Sequence, residues 1–247
     1  MPSAEPRISV IIPTCDRHER VALCLSHLAR QQRAPDQVVL VDNGLEPVAV
    51  PPGVECLRAP ARCGASQARN LGAAVAAHPW LAFLDDDDHW SDNYLADLAR
   101  EIIQQPQATL HLCPLRVEGP QPLDKRFQVG RDERVLLYRN PGVVGSNLAV
   151  HRDTFLSLGG FDARLPAAED RALGWRFVAQ GQGVQVSDRR RAHLNHHEGE
   201  RLSHWRSRLR GNWRFYRAHR SVMSWREQGK AMAVMALCLW QDRGWRR

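Results

Sequence analysis

The short apolar run Trp80-Leu81-Ala82-Phe83-Leu84 is closed by consecutive aspartates, Asp85-Asp86-Asp87-Asp88. Carboxylates this close repel one another and cannot all lie unpaired in a core. Yet the run that carries them reads as a buried strand. A buried strand that delivers acids at its C-terminal end marks the ligand edge of an open α/β sheet. Hard oxygen ligands there suit Mg²⁺ or Mn²⁺, ions that complete their shell with substrate phosphates. The competing reading is an acidic turn capping a helix that starts near Asp92, but one Asp suffices for a cap.

Other segments build the sheet around this strand. Arg7–Pro13 is β-branched and ends at a proline, which reads as a buried first strand. Thr14-Cys15-Asp16-Arg17 then turns the chain, with Asp16 expected to cap a helix running to Gln32. Gln37–Asp42 is a second buried strand that ends in Asp42-Asn43-Gly44. Strand, helix, strand at this spacing is a right-handed βαβ unit of a parallel sheet, so both loops fall on the ligand edge. The small-residue helix Gly64–Ala77 places Arg69 and Asn70 on one face. A helix Asn93–Gln104 and a strand Ala108–Cys113 follow. Residues 114–142 read as a loop with a candidate strand at Val135–Tyr138. Beyond it come a strand Val143–Val150, a helix His151–Leu158, a helix introduced by Glu169-Asp170 and reaching Gly181, and a strand Gly183–Val186. The fold class is α/β, a mostly parallel sheet flanked by helices.

Charge separates the C-terminal segment from the rest. The chain of 247 residues carries +7, but between Arg201 and Arg247 Lys and Arg outnumber Asp and Glu by 12 to 2. Leu202, Trp205, Leu209, Trp213 and Tyr216 recur near a helical period there, with arginines on the other faces. A basic amphipathic helix bearing Trp suits an anionic membrane surface. A helix packed on the preceding domain ranks second. A nucleic-acid patch ranks last, since no nucleic-acid fold motif accompanies the charge, so no nucleic-acid partner is expected. The longest apolar run, Ala231–Trp240, is too short to span a bilayer. The N-terminus shows no charged region followed by an apolar one, so no signal peptide is expected. The six scattered cysteines read as free thiols of a reducing compartment. The expected location is cytoplasmic, peripheral on the inner face of the plasma membrane.

Six motifs occur in order: Val10-Ile11-Ile12-Pro13-Thr14, Val41-Asp42-Asn43-Gly44, Ala68-Arg69-Asn70-Leu71-Gly72, the Phe83–Trp90 acidic stretch, Gly159-Gly160-Phe161-Asp162, and Glu169-Asp170. Together they resemble the GT-A-fold glycosyltransferases of family 2, over residues 7 to 200. The resemblance implies a GT-A (Rossmann-like) catalytic domain over residues 1–200. Its nucleotide-binding half covers 1–110 and its acceptor half 111–200, and a basic helical extension occupies 201–247. It implies inverting transfer of a sugar from a nucleoside diphosphate donor, in the first place a UDP-sugar, with Mn²⁺ or Mg²⁺. The acceptor would be a glycan or lipid-linked hydroxyl, as in assembly of bacterial lipopolysaccharide or another surface polysaccharide.

Carried over by position, Asp42 would accept a hydrogen bond from the uracil imide, and Pro13 and Thr14 would line the nucleoside pocket. Asp16, Gly64 and Asp86 fall in the same nucleotide-binding set. Arg69 and Asn70 lie on the nucleotide-side helix, where Arg69 pairs with the diphosphate or forms a surface salt bridge. Asp87 would bind the metal, and Asp85 would hold ribose or donor sugar and join the metal site. In the Glu169-Asp170 pair, Asp170 would be the general base, although two acids also suit a helix N-terminus. Trp175 is a sugar-stacking wall or a core residue. In the loop His193-Leu194-Asn195-His196-His197, His197 fits the slot of a histidine that completes the metal shell or contacts phosphate. Cys15-Asp16 stands where an aromatic and Asn are usual, and Asp42-Asn43 where two acids are usual, which leaves the base preference open. A nucleotidyltransferase would bring a Gly-rich phosphate loop with a Lys, absent from Pro13-Thr14-Cys15-Asp16-Arg17. A non-catalytic polybasic membrane adaptor is the remaining alternative.

Overall fold

A strand buried at every position, β1 (Ile8–Thr14), lies inside the main sheet. The computed structural model describes residues 5–119, 122–125, 133–195 and 205–244. Strand β1 is flanked by β2 (Gln37–Asp42) and β4 (Trp80–Phe83), both parallel to it. The sheet extends through β3 (Glu55–Arg58) on one side. On the other it continues through β9 (Leu148–His151), β6 (Ala108–Leu112) and β10 (Gly183–Val186). The order is β10-β6-β9-β4-β1-β2-β3. Every pairing is parallel except the two made by β9. The expected mostly parallel sheet is present.

Strand side chains alternate between two cores. Val10, Ile12 and Leu40 face α1 (His18–Leu28) and α3 (Tyr94–Gln104). Ile11, Val39, Val41 and Phe83 face α2 (Ala65–Val75), α5 (Arg152–Ser157) and α6 (Glu169–Ala179). A small second sheet of four short strands caps the ligand edge. It is made by β5 (Asp88–Trp90), β11 (Ala192–Leu194), β7 (Leu115–Val117) and β8 (Leu123–Lys125).

Several expectations are corrected. Val135–Tyr138 is a helical turn, α4, and not a strand. A four-residue apolar run does not distinguish the two, and here it packs in a helix-to-helix crevice. The segment 143–150 is a strand only from Leu148, because residues Gly145–Asn147 form a 3₁₀ turn. Asp16 does not cap α1, which begins at His18 with no side-chain cap. Asp16 instead adopts φ 54° and accepts a hydrogen bond from Leu45 N at 2.6 Å.

The basic extension folds back as a hairpin of α7 (Trp205–His219) and α8 (Trp225–Gly244). Phe215, 1% exposed, packs with Leu137, Ala172 and Met223. Gly211 lies so close to Ala167 that a Cβ there would collide with its carbonyl oxygen. Arg134 Nε reaches Glu227 Oε1 at 2.7 Å. The segment therefore takes the packed-helix form that ranked second. The side chain that enters the core is Phe215, while Trp213 of the expected apolar stripe stays 45% exposed. Leu202 and the side chain of Trp205 lie outside the described residues. Among the described residues no helix is long and apolar enough to cross a membrane. All six cysteines are free thiols.

Candidate active site

Parallel register brings the ends of three strands to one edge. Thr14 pairs with Asp42 across β1 and β2, and Ile11 with Phe83 across β1 and β4, so the residues after Phe83 emerge beside Thr14. The repulsion among the aspartates is relieved because each meets a hydrogen-bond donor, with Asp86 and Asp87 sharing Arg17. Thr14 Oγ1 donates to Asp86 Oδ2 at 2.6 Å. Arg17 Nη1 donates to Asp86 Oδ1 at 3.0 Å and to Asp87 Oδ2 at 2.9 Å. Asp88 Oδ2 accepts from Ser146 Oγ at 2.5 Å, and its Oδ1 from Asn195 N at 3.2 Å. Ser146 Oγ also accepts from Asp85 N at 3.1 Å. Burial pushes the Asp86 carboxyl up to about 6, against the pull of Thr14 and Arg17. Burial likewise raises Asp88 well above the carboxylate range.

Asp42 is 1% exposed, with Oδ1 accepting from Gly44 N at 2.8 Å and Oδ2 from Val48 N at 2.9 Å and from Arg58. Burial would raise its pKa, but these donors outweigh that and hold it low. Pro13 lies within buried β1, and the Thr14 carbonyl accepts from Asn43 Nδ2 at 2.6 Å. Gly64 precedes α2 with φ 88°. Asp16 is joined to this loop through Leu45 and through Arg62 at 3.4 Å.

Arg69 is neither a surface residue nor an open guanidinium. It is 3% exposed, donates from Nη2 to Asp85 Oδ1, and has Nη1 3.9 Å from Glu169 Oε1. The Phe161 ring lies 5.2 Å from its Cζ. The opposite wall is Gly145, where a Cβ would come within 2.6 Å of Nη2. Asn70 uses both ends of its amide on Phe161, donating to its carbonyl and accepting from its N–H, each at 2.8 Å. It therefore orders the Gly159–Asp162 turn.

Glu169 and Asp170 open α6. Asp170 Oδ1 has no hydrogen-bond partner among the described residues. Burial, and next Glu169, raise the Asp170 pKa well above normal, and burial raises that of Glu169. Trp175 packs against the core beside α7. His193 stacks on His89 at 4.6 Å and shares a 2.7 Å contact with Glu118 Oε1. His196 and His197 lie outside the described residues.

Among the described residues no group of three or more His, Cys, Asp or Glu is arranged to hold an ion. Asp85 and Asp87 nevertheless present two partly exposed carboxylates, at 30% and 27% side-chain exposure. One or two carboxylates together with phosphate oxygens and waters is an ordinary Mg²⁺ set, so the donors fit such an ion. Arg17, Gly145 and Ser146 were not singled out from the sequence. A cation three residues past β1 was the one available signal, since strand-end acids need a counter-charge.

Residues 9–155 match the family described as Glycosyl transferase family 2. An uncharacterized glycosyltransferase of Haemophilus influenzae is 29% identical over 176 residues, covering 66% of this chain. The match spans 59% of that protein's length, less than two thirds. The putative colanic acid biosynthesis glycosyl transferase WcaA of Escherichia coli is 24% identical over 232 residues, 87% of this chain and 82% of WcaA. The crystal structure of S. aureus TarS 1-349 in complex with UDP-GlcNAc superposes with a TM-score of 0.67 at 16% identity. That superposition covers 84% of this chain and 66% of TarS 1-349, and establishes a shared fold.

Proposed function

The chain belongs to glycosyl transferase family 2, and from that premise we propose that it transfers a sugar, with inversion, from a nucleoside diphosphate donor to an acceptor hydroxyl. One observation carries this reading. The donor-side acids after β4 and the acidic pair of α6 share a single buried arginine, since Arg69 touches both Asp85 and Glu169.

The nucleoside enters between the Pro13-Thr14 backbone and the Asp42 loop. Asp42 Oδ1 accepts one protein hydrogen bond, and a carboxylate oxygen has a second lone pair for an imide N–H. UDP is the favoured nucleotide, a choice supported by TarS with UDP-GlcNAc. Asp16, Gly64, Asn70 and Asp86 shape this pocket, and Asp85 and Asp87 receive the ribose–diphosphate end. A bound Mn²⁺ or Mg²⁺ would be held by Asp87 and Asp85, with His197 as a further ligand, and would neutralise charge on the departing diphosphate. Arg17, already between Asp86 and Asp87, adds a positive charge beside it. Asp170 takes the proton of the acceptor hydroxyl as that oxygen bonds to the anomeric carbon and the carbon–oxygen bond to the diphosphate breaks on the opposite face. Its Oδ1, without a hydrogen-bond partner among the described residues, and its raised pKa support this role.

Residues 1–110 then serve the donor and 111–200 a glycan or lipid-linked acceptor of bacterial surface polysaccharide assembly, a setting supported by the name of WcaA. The arginine-rich outer face of α7 would rest on an anionic membrane from the cytoplasmic side. Cosedimentation with anionic but not zwitterionic vesicles reads that contact, and equal sedimentation with both removes it.

Calorimetry of UDP with Mn²⁺, alongside a screen of nucleotide sugars for slow hydrolysis, tests the central reading. Asp87→Ala is expected to abolish the Mn²⁺-dependent part of UDP binding. Intact Mn²⁺-dependent binding in that variant refutes the ligand assignment, and hydrolysis of no donor refutes the activity.

A further inference from the structure

A second, half-open recess lies behind α6. The segment from Gly159 to Leu165, one face of α6 and the inner face of α7 surround a cavity of about 950 Å³. That volume falls within the range of small-molecule sites. On α6 it is lined by Ala172 and Arg176. Asp170 stands roughly 200° round the helix from Ala172, so an occupant would sit away from the proposed base.

The lining is strongly unbalanced in charge. Arg164, Arg176 and Arg214 face the space, with Asp162 the one carboxylate among its lining residues. Asp162 is already bound by Arg164 through two hydrogen bonds, at 2.9 and 3.0 Å. Arg176 donates to the carbonyls of Leu158 and Gly160, which satisfy its N–H groups without cancelling its charge. Burial lowers its pKa, and Arg164 adds to that against Asp162. Arg214 donates to the Arg164 carbonyl, which is also neutral. Behind the Phe215 wall lies Arg171, 2% exposed and 4.0 Å over that ring. No carboxylate among the described residues pairs with it, and burial pulls its pKa down to about 10. This half-open volume therefore sits in a positive field that, among the described residues lining it, only Asp162 offsets.

Two features narrow the ligand. The lining carries two positive charges more than negative, which matches a phosphate monoester, a near-dianion at neutral pH. Guanidinium groups match phosphate oxygens in geometry. The cavity is larger than one phosphate, and Phe161, Leu165 and Phe215 give it an apolar wall. We propose that this cavity is a second binding site, for a phosphate ester whose phosphoryl group sits among Arg164, Arg176 and Arg214 and whose organic part lies over Ala163, Leu165 and Ala218. Phosphate of this kind comes from a lipid headgroup or from a soluble metabolite, and Arg214, on the basic helix α7, is placed to meet either.

The test is calorimetry of the full chain with two probes, inorganic phosphate and dihexanoyl phosphatidic acid below its micelle concentration, without added metal. Saturable binding at one site per chain is expected. Removing two charge-assisted contacts in Arg164→Ser/Arg214→Ser should weaken it at least about tenfold. UDP–Mn²⁺ binding should stay unchanged, since neither residue belongs to the nucleotide edge. Similar affinity for both probes supports the site and assigns it to soluble phosphate. Much tighter binding of the lipid supports it and assigns it to a headgroup. Absence of saturable binding with both probes, or a double variant that binds as the parent does, overturns the proposal and leaves the sugar-transfer reading standing.

Discussion

Replacing Arg69 by methionine keeps most of the apolar stem and deletes the charge that three carboxylates share. The Arg69 side chain is 4% exposed, and Asp85 and Glu169 are 30% and 20% exposed. With the guanidinium gone, Asp85, Glu169 and Asp170 face one another without a counter-ion. Removing one partner of a buried ion pair costs about 3–5 kcal/mol, a large share of the ~5–15 kcal/mol that holds a domain folded. For a chain of this size that is a fall in Tm of about 6–20 °C. The penalty carries a pH signature. Glu169 and Asp170 already have raised pKa values in the folded protein. A carboxyl raised on folding binds more protons folded than unfolded, so its penalty is relieved as pH falls through the folded value. Loss of Arg69 raises both further. Urea unfolding should therefore show the full deficit at pH 8 and a smaller one near pH 5. Adding Glu169→Gln should restore part of the loss at pH 8, because it removes one of the uncompensated charges. A deficit equal at both pH values, or below about 1 kcal/mol at pH 8, would refute the shared-charge account.

Gly145→Ala perturbs the same guanidinium by volume, since the new Cβ would lie 2.6 Å from Nη2 and 2.9 Å from Cζ. A displacement approaching 1 Å at a reacting centre costs up to about a hundredfold in rate. Donor turnover should fall by about ten- to a hundredfold while the protein stays folded, and unchanged turnover would show that the Arg69 position is immaterial. Far from the site, burial would raise the Glu101 carboxyl, but His111, Arg190 and Ser187 outweigh it and hold the pKa at about 2, against an ordinary value of 4.5. Stability from this group is present above pH 4.5 and lost as pH falls towards 2. Glu101→Gln should cost about 3 kcal/mol at pH 7, and its gap from the parent in urea melts should narrow by pH 3.

The central strands were legible because β1, β2 and β4 are continuous apolar runs, each with a sharp polar end. Edge strand β3 was not, since Glu55–Arg58 is largely exposed and carries no periodicity to read. The three-residue strands of the second sheet are fixed by pairing across distant segments, which no local window contains. The acids announced a site, but their partners Thr14, Arg17, Arg69, Ser146 and Asn195 come from four separate places in the chain. Arg69 is the instructive case. A charged residue in a small-residue helix suggests either a surface or a ligand, whereas the fold buries it as the link between two acidic groups. In the extension, the helical period correctly indicated helices. Which face turned inward was decided by the close fit of Gly211 to Ala167, a tertiary contact.

The polarity of β9 sets where a chain of this design can diversify. Leu112, ending β6, pairs with Leu148, beginning β9, so the polypeptide departs from and rejoins the sheet at the same rim. The intervening stretch, with β7, β8 and α4, is thus an excursion whose two feet stand side by side. Its outer part can change in length without shifting the seven-stranded sheet, whereas β7, paired with β11, and the Gly145–Asn147 turn, which holds Asp88 and abuts Arg69, tie its two feet to the site.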